Sequence, residues 1–123
     1  MNTFHVRFEI GDLAATHFEE VTALVDTGST FTSAPRELLA RLGIRPTRRE
    51  PFQIASGEVI ESDVGDAVIR VAGKQGAMPI IFNEPGEPTL LGAVTLEALL
   101  LAVDPVRETL VPVEGLRISR WDP

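Results

Sequence analysis

The chain has no cysteine, so its 123 residues hold neither a disulfide nor a thiolate metal site, and stability must come from packing or from association with another chain. Basic residues are outnumbered, 11 Lys and Arg against 18 Asp and Glu, for a formal net charge of -7. That balance argues against a general nucleic-acid binder, which needs a basic face to neutralise phosphates; here the acidity serves solubility. Long apolar runs are missing too. The greasiest segment, "LEALLLAV", is far shorter than the roughly 20 residues a spanning helix requires. The opening "MNTFHVRFEIG" lacks the basic-then-apolar order of a secretion signal. These absences lead us to expect a cytoplasmic protein with no membrane and no nucleic acid among its partners.

Several chemistries lack their motifs. The glycines follow neither the Gly-x-Gly-x-x-Gly nor the Walker pattern, which leaves phosphate cradling unsupported. His5 and His17 show no His-Glu-x-x-His spacing and read as solvated strand residues, so no metal or organic cofactor is expected. Ser29 and Ser56 lie outside any Gly-x-Ser-x-Gly elbow, which disfavours a serine hydrolase. Arg45, Arg48 and Arg49 read as a solvated connection. Trp121 serves either as a docking anchor or as a tail residue, and the sequence does not decide between them.

What is present suffices for one compact domain over residues 1–123: 44% hydrophobic residues and only 24% charged ones can bury a core. Phe4, Val6, Phe8 and Ile10 alternate with His5, Arg7 and Glu9, the pattern of a half-buried strand. A turn at Gly11-Asp12 leads to a second strand through "HFEEVTALVD", which gains apolar density toward Asp26. "SAPRELLARLG" predicts a short helix, with Ser33 as cap, Pro35 in the first turn, Leu38, Leu39 and Leu42 on one face and Gly43 as the stop. After the polar "RPTRRE", "PFQIASGEVIES" predicts a hairpin with a small tip at Ala55-Ser56-Gly57. "DAVIRVAG" and "GAMPIIFN" predict two strands around a Lys74-Gln75-Gly76 turn, and "EPGEP" breaks the chain. The last third predicts a buried strand closed by Gly92, a helix over Val94–Leu100, and two short strands joined across Asp104-Pro105. The class is all-β with one or two short helices.

The residues with the most specific chemistry are in "ALVDTGST", Ala23 to Thr30. A strand here delivers a carboxylate into a turn of small and hydroxylated residues. Gly28 lets backbone approach the acid, and the hydroxyls of Thr27 and Ser29 can brace the site or donate to the carboxylate. A single carboxylate makes a poor peptidase, whereas two sharing one proton can activate water and polarise a carbonyl together. Asp-Thr-Gly occurs once; Asp63-Val64-Gly65 follows Glu61 and Ser62 and reads as a turn between polar segments. A second carboxylate would therefore come from a second copy of the chain across a two-fold axis. Asp-Thr-Gly at a strand end also fits a plain turn, "ASGE" a plain hairpin loop, and Gly92 a bare turn residue.

"ALVDTGST" resembles the active-site motif of aspartic proteases, and the short chain with one copy is similar to the retropepsin-like group, including its small bacterial members. "IASGEV" stands where that family carries its flap, the hairpin that closes over a bound peptide, and "TLLGAVTLEALL" resembles the later segment that packs behind the catalytic loop. Together the three cover residues 21–100, most of the chain. The resemblance implies a closed acid-protease β-barrel, with Asp26 as the catalytic aspartate. Thr27 would lock the two loops across the dimer axis, Gly28 would offer backbone to substrate, and Ser29 would support the carboxylate. Ala55, Ser56 and Gly57 would form the flap tip, binding peptide as an added strand. One glycine stands near that tip where viral relatives often have several, and the tail "EGLRISRWDP" departs from viral termini, which interleave in the dimer.

The reading is a homodimeric aspartic endopeptidase acting on peptide or protein substrates through paired Asp26 carboxylates. The competing class is a dimeric module of the same fold that holds or scaffolds extended peptides without cutting them, and a third is an unrelated small β-barrel. The enzyme needs two Asp26 carboxyl groups around one water, the module needs only groove and flap, and the barrel would leave Asp26 far from any symmetry mate.

Overall fold

The computed structural model describes residues 3–118; Trp121 lies outside them. The elements run β1 (His5–Gly11), β2 (Phe18–Val25), β3 (Thr32–Pro35), α1 (Arg36–Arg41), β4 (Arg48–Gln53), β5 (Val59–Val71), β6 (Lys74–Asn83), β7 (Leu90–Leu91), α2 (Ala93–Ala98), β8 (Leu101–Asp104) and β9 (Thr109–Pro112). Seven strands form one sheet in the order β1-β2-β7-β3-β6-β5-β4, and β1 also pairs with β5, which closes the sheet into a barrel with β4 branching from it. β8 and β9 make a separate two-stranded ribbon.

Alternation in the sequence sets which faces turn inward. Phe4, Phe8 and Ile10 are buried while His5 and Arg7 are exposed, as their period of two requires. Ile10, Leu39, Ile69, Ile80 and Leu91 are fully buried, each contributing about 1.5–3 kcal/mol of apolar transfer. Glu9 pairs with Arg70 and Gly11 with Val68 at the seam between β1 and β5. Gly11 is required there because a Cβ would stand 2.5 Å from the Phe18 ring, on which the Arg70 guanidinium lies at 3.7 Å.

The strand at 4–10, the strand ending before Asp26, the hairpin with its tip at 54–58 and the ribbon across Asp104-Pro105 stand where the sequence predicts them. Other expectations are corrected. Ser33 is no helix cap: it lies in β3, its hydroxyl donates to the Pro88 carbonyl at 3.4 Å, and Pro35 precedes the helix rather than entering it. The β5–β6 turn falls at Ala72-Gly73, both with positive φ (51° and 78°), in the primed two-residue form that matches strand twist, and Lys74-Gln75-Gly76 opens β6. Asp63-Val64-Gly65 is no turn but the middle of the 13-residue β5. Arg48 and Arg49 belong to β4 and pair with Glu50 and Asp63, so of the three arginines only Arg45 stays in the connection. The second helix spans Ala93–Ala98, ending where Leu100 takes a φ of 54°.

β5 determines where the hairpin projects. Its first part, from Val59 to Asp63, pairs only with β4, Val64 pairs with both β4 and β6, and from there onward β5 pairs with β6 inside the barrel. The β4–β5 hairpin is thus a ribbon that leaves the barrel wall at Val64, which is fully buried.

Candidate active site

β2 ends at Val25, and its continuation carries Asp26 between two walls that are far apart in sequence. The two-residue β7 slots between β2 and β3, parallel to the first and antiparallel to the second. The Asp26 amide donates to the Leu91 carbonyl at 3.0 Å, so the acid is fixed by the strand that immediately precedes Gly92. The loop then turns tightly: the Ser29 amide donates to the Asp26 carbonyl at 3.1 Å, and the Gly28 amide donates to Asp26 Oδ1 at 2.9 Å. Asp26 is half-buried and Thr27 and Gly28 are exposed, which presents the carboxylate at the surface of a braced turn.

The brace comes from the start of α2. The amides of Ala93 and Val94 donate to the carbonyls of Ser29 and Thr30 at 2.8 and 2.9 Å. Ser29 Oγ donates to the Phe31 carbonyl at 3.0 Å, so its hydroxyl holds the loop rather than the carboxylate. Beneath the loop, Thr32 Oγ1 accepts from the Gly92 amide at 3.1 Å and meets Thr95 Oγ1 at 2.7 Å, with both threonines fully buried. Gly92 is more than a turn residue: a Cβ there would lie 2.6 Å from the Phe31 carbonyl carbon and oxygen and 2.9 Å from the Ser29 oxygen. Helix and loop approach so closely that only glycine fits.

The hairpin tip is closed by the Ile54 amide donating to the Glu58 carbonyl at 2.9 Å and the Gly57 amide donating to the Ile54 carbonyl at 2.8 Å. Gly57 has a φ of 90°, and Ala55, Ser56 and Gly57 are all exposed. The hairpin touches the Asp26 loop through Phe52, whose ring meets Phe31 edge-on at a centroid distance of 5.7 Å. Arg48 lies over the other partner of that pair, 6.0 Å from the Phe31 centroid. The structure thus joins Asp26, Thr27, Gly28 and Ser29 in one loop and carries Ala55, Ser56 and Gly57 on a ribbon whose stalk packs against that loop.

Sequence reasoning missed Phe31, Phe52, Thr32 and Thr95. The two phenylalanines left no local signal, since neither lies in an apolar run: Phe31 stands between two threonines and Phe52 between Pro51 and Gln53, 21 positions from the other. Thr95 did leave one: it is a hydroxyl on the inward stripe of a short helix, between Gly92 and the buried Leu96 and Leu99. Among the described residues no cluster of three or more His, Asp or Glu is arranged to hold a metal ion. No helix among them is long and apolar enough to cross a membrane.

A family model described as aspartyl protease matches residues 6–95, the span from β1 to α2 that contains the Asp26 loop, the hairpin and Gly92. No curated protein matches the chain. Among solved structures, the chain is similar to the solution structure of the Simian Foamy Virus (mac) protease, with a TM-score of 0.50 and 20% identity over 74% of this chain and 91% of that one. It is likewise similar to a retropepsin-like aspartic protease from Rickettsia conorii, with a TM-score of 0.52 and 17% identity over 89% of this chain and 91% of that one. At these identities the two structures speak for the fold, which is retropepsin-like.

Proposed function

From a chain that belongs to the aspartyl protease family, and is thus an aspartic-type endopeptidase, we propose a homodimer in which each copy supplies one Asp26 to a shared site. The observation that carries this reading is that Asp26 occurs on one braced loop per chain, half-buried, with Oδ1 held by the Gly28 amide. Two such loops related by a two-fold axis bring two carboxyl groups to one water. The ionised member takes a proton from that water, whose oxygen attacks the scissile carbonyl carbon. The neutral member donates its proton to the carbonyl oxygen, giving a tetrahedral diol. The carboxyl that took the water's proton then passes it to the amide nitrogen, the other takes a proton back from a diol hydroxyl, and the C–N bond breaks to release acid and amine. This division of labour is the one general to aspartic proteases.

In the same reading Thr27, exposed at the loop's tip, bonds across the axis and fixes the distance between the loops. Gly28 offers backbone to the peptide, and Ser29 keeps the loop in shape through Phe31. The tip at Ala55, Ser56 and Gly57 folds over the extended substrate and bonds it as an added strand. The absence of cysteine suits a cytoplasmic dimer held by packing alone.

The test is cleavage of a diverse peptide library by the purified protein and by a folded Asp26→Asn variant, with the assembly state measured by sedimentation. Cleavage by the parent dimer and none by the variant is expected. Equal cleavage by both would remove Asp26 from the mechanism. Dimers that bind peptides and cut none would favour a peptide-holding module instead.

A further inference from the structure

Two-stranded ribbons are marginal by themselves, so the β4–β5 hairpin depends on what fixes its root. One fixture is Phe52 against Phe31. The other is Asp63, which is in register with Arg49 one step before β5 joins β6. The Asp63 side chain is only 17% exposed, and different arginines occupy its two oxygens. Arg49 Nη1 donates to Oδ1 and Arg36 Nη2 donates to Oδ2, both at 2.8 Å. Arg49 belongs to the hairpin, whereas Arg36 opens α1 on the barrel. The Arg36 guanidinium also donates to Glu84 Oε1 at 2.9 Å and lies 5.4 Å over the Phe82 ring, so β6 and the connection after it hold it in place.

An isolated surface ion pair does little, but a partly covered carboxylate with both oxygens engaged by planar donors fixes direction as well as distance. We propose that Asp63, acting through Arg36, is a positioning residue for the reaction: it sets the angle at which the tip over residues 54–58 stands above the Asp26 loop. The inference rests on reading that hairpin as the flap that closes over substrate. Without the Asp63–Arg36 bond, the ribbon pivots about Phe52, and closing it over a peptide costs ordering that the folded protein now supplies in advance.

Asp63→Asn keeps shape and polarity and Arg36→Gln keeps polarity on a shorter chain, each removing the charge pairing, and Asp63→Glu restores the charge. Amide exchange in the free protein reads the tip through the Ile54 and Gly57 amides, and steady-state kinetics read the consequence. Each single variant is expected to speed exchange at those amides by about tenfold and leave the barrel strands protected. Each should raise KM by about tenfold with kcat within about twofold, the pattern of lost substrate binding rather than lost chemistry. The double variant should be no worse than either single one, and Asp63→Glu should recover part of the KM. Unchanged exchange at the tip overturns the proposal, as does faster exchange throughout the barrel or a double variant whose effects simply add. Should the parent protein cut no peptide, the peptidase reading fails separately, and the exchange measurement still decides the role of Asp63.

Discussion

The hydroxyls of Thr32 and Thr95 meet at 2.7 Å across 63 residues of chain, and the Gly92 amide donates to the same Thr32 oxygen. This buried pair joins the strand after the Asp26 loop to the helix that braces that loop. Substituting Thr32→Val keeps the shape but orphans both the Gly92 amide and the Thr95 hydroxyl, while Thr95→Val removes one partner of Thr32 and leaves the Gly92 bond in place. Each is expected to cost about 1–3 kcal/mol, with Thr32→Val the larger. Denaturant unfolding of the two variants checks the order, and a larger loss for Thr95→Val would contradict this account of the bonds.

Gly92→Ala tests the close approach of helix and loop. The added Cβ meets backbone atoms of Phe31 and Ser29, which cannot rotate away as a side chain would. Loss of about 3 kcal/mol is expected, together with a fall in kcat from a displaced Asp26 loop. A variant with the parent's stability and activity would show that the loop tolerates the shift an added Cβ demands.

Acid sensitivity follows from the ion pairs. The hydrogen bond from Arg36, with that from Arg49 behind it, holds the Asp63 carboxyl below its ordinary value of 3.8. Arg41 does the same for Glu19. A folded value below the unfolded one means the stabilisation is fully present above the ordinary carboxylate range and is lost as pH falls through the lowered value. Stability should therefore decline from about pH 4 downward. Asp63→Asn should be less stable than the parent at neutral pH and converge on it in acid. Parallel stability curves for the two proteins would remove Asp63 from the acid response.

The proposed shared site has a kinetic signature. Activity per chain should rise with protein concentration near the dimer dissociation constant and then level off. Strict proportionality in a preparation that sedimentation shows to be dissociating would sink the two-copy site. Because the proposed pair works with one carboxyl ionised and the other neutral, the pH profile should be bell-shaped, and a flat acidic range would count against a pair.

Much of this was legible where local pattern and tertiary role agree. The alternation around Phe8, the apolar run ending at Asp26, the small residues at the hairpin tip and Leu91 before Gly92 all carry their meaning within a few positions. β3 was hidden because Thr32-Ser33-Ala34-Pro35 reads locally as a helix start. Its strand character comes from pairing Thr32 with Ile80 and Ser33 with Leu90, which no short window contains. Asp63 and Gly65 looked like turn residues for the same reason. Distant arginines neutralise the first, and the Arg45 carbonyl, 2.7 Å from where a Cβ would stand, demands the second. Alanine at φ 51° in the Ala72-Gly73 turn similarly shifted that turn away from the place where Gly76 alone suggested it.

The insertion of β7 between β2 and β3 also orders events during synthesis. Asp26 emerges from the ribosome early, but its amide partner is Leu91, and the donors that shape its loop are Ala93 and Val94. Contacts of such long sequence separation form late. A growing chain therefore carries its acidic motif unformed until Leu91, Ala93 and Val94 have left the ribosome, and a peptidase built this way has no shaped acidic loop to turn on its own nascent copies before then.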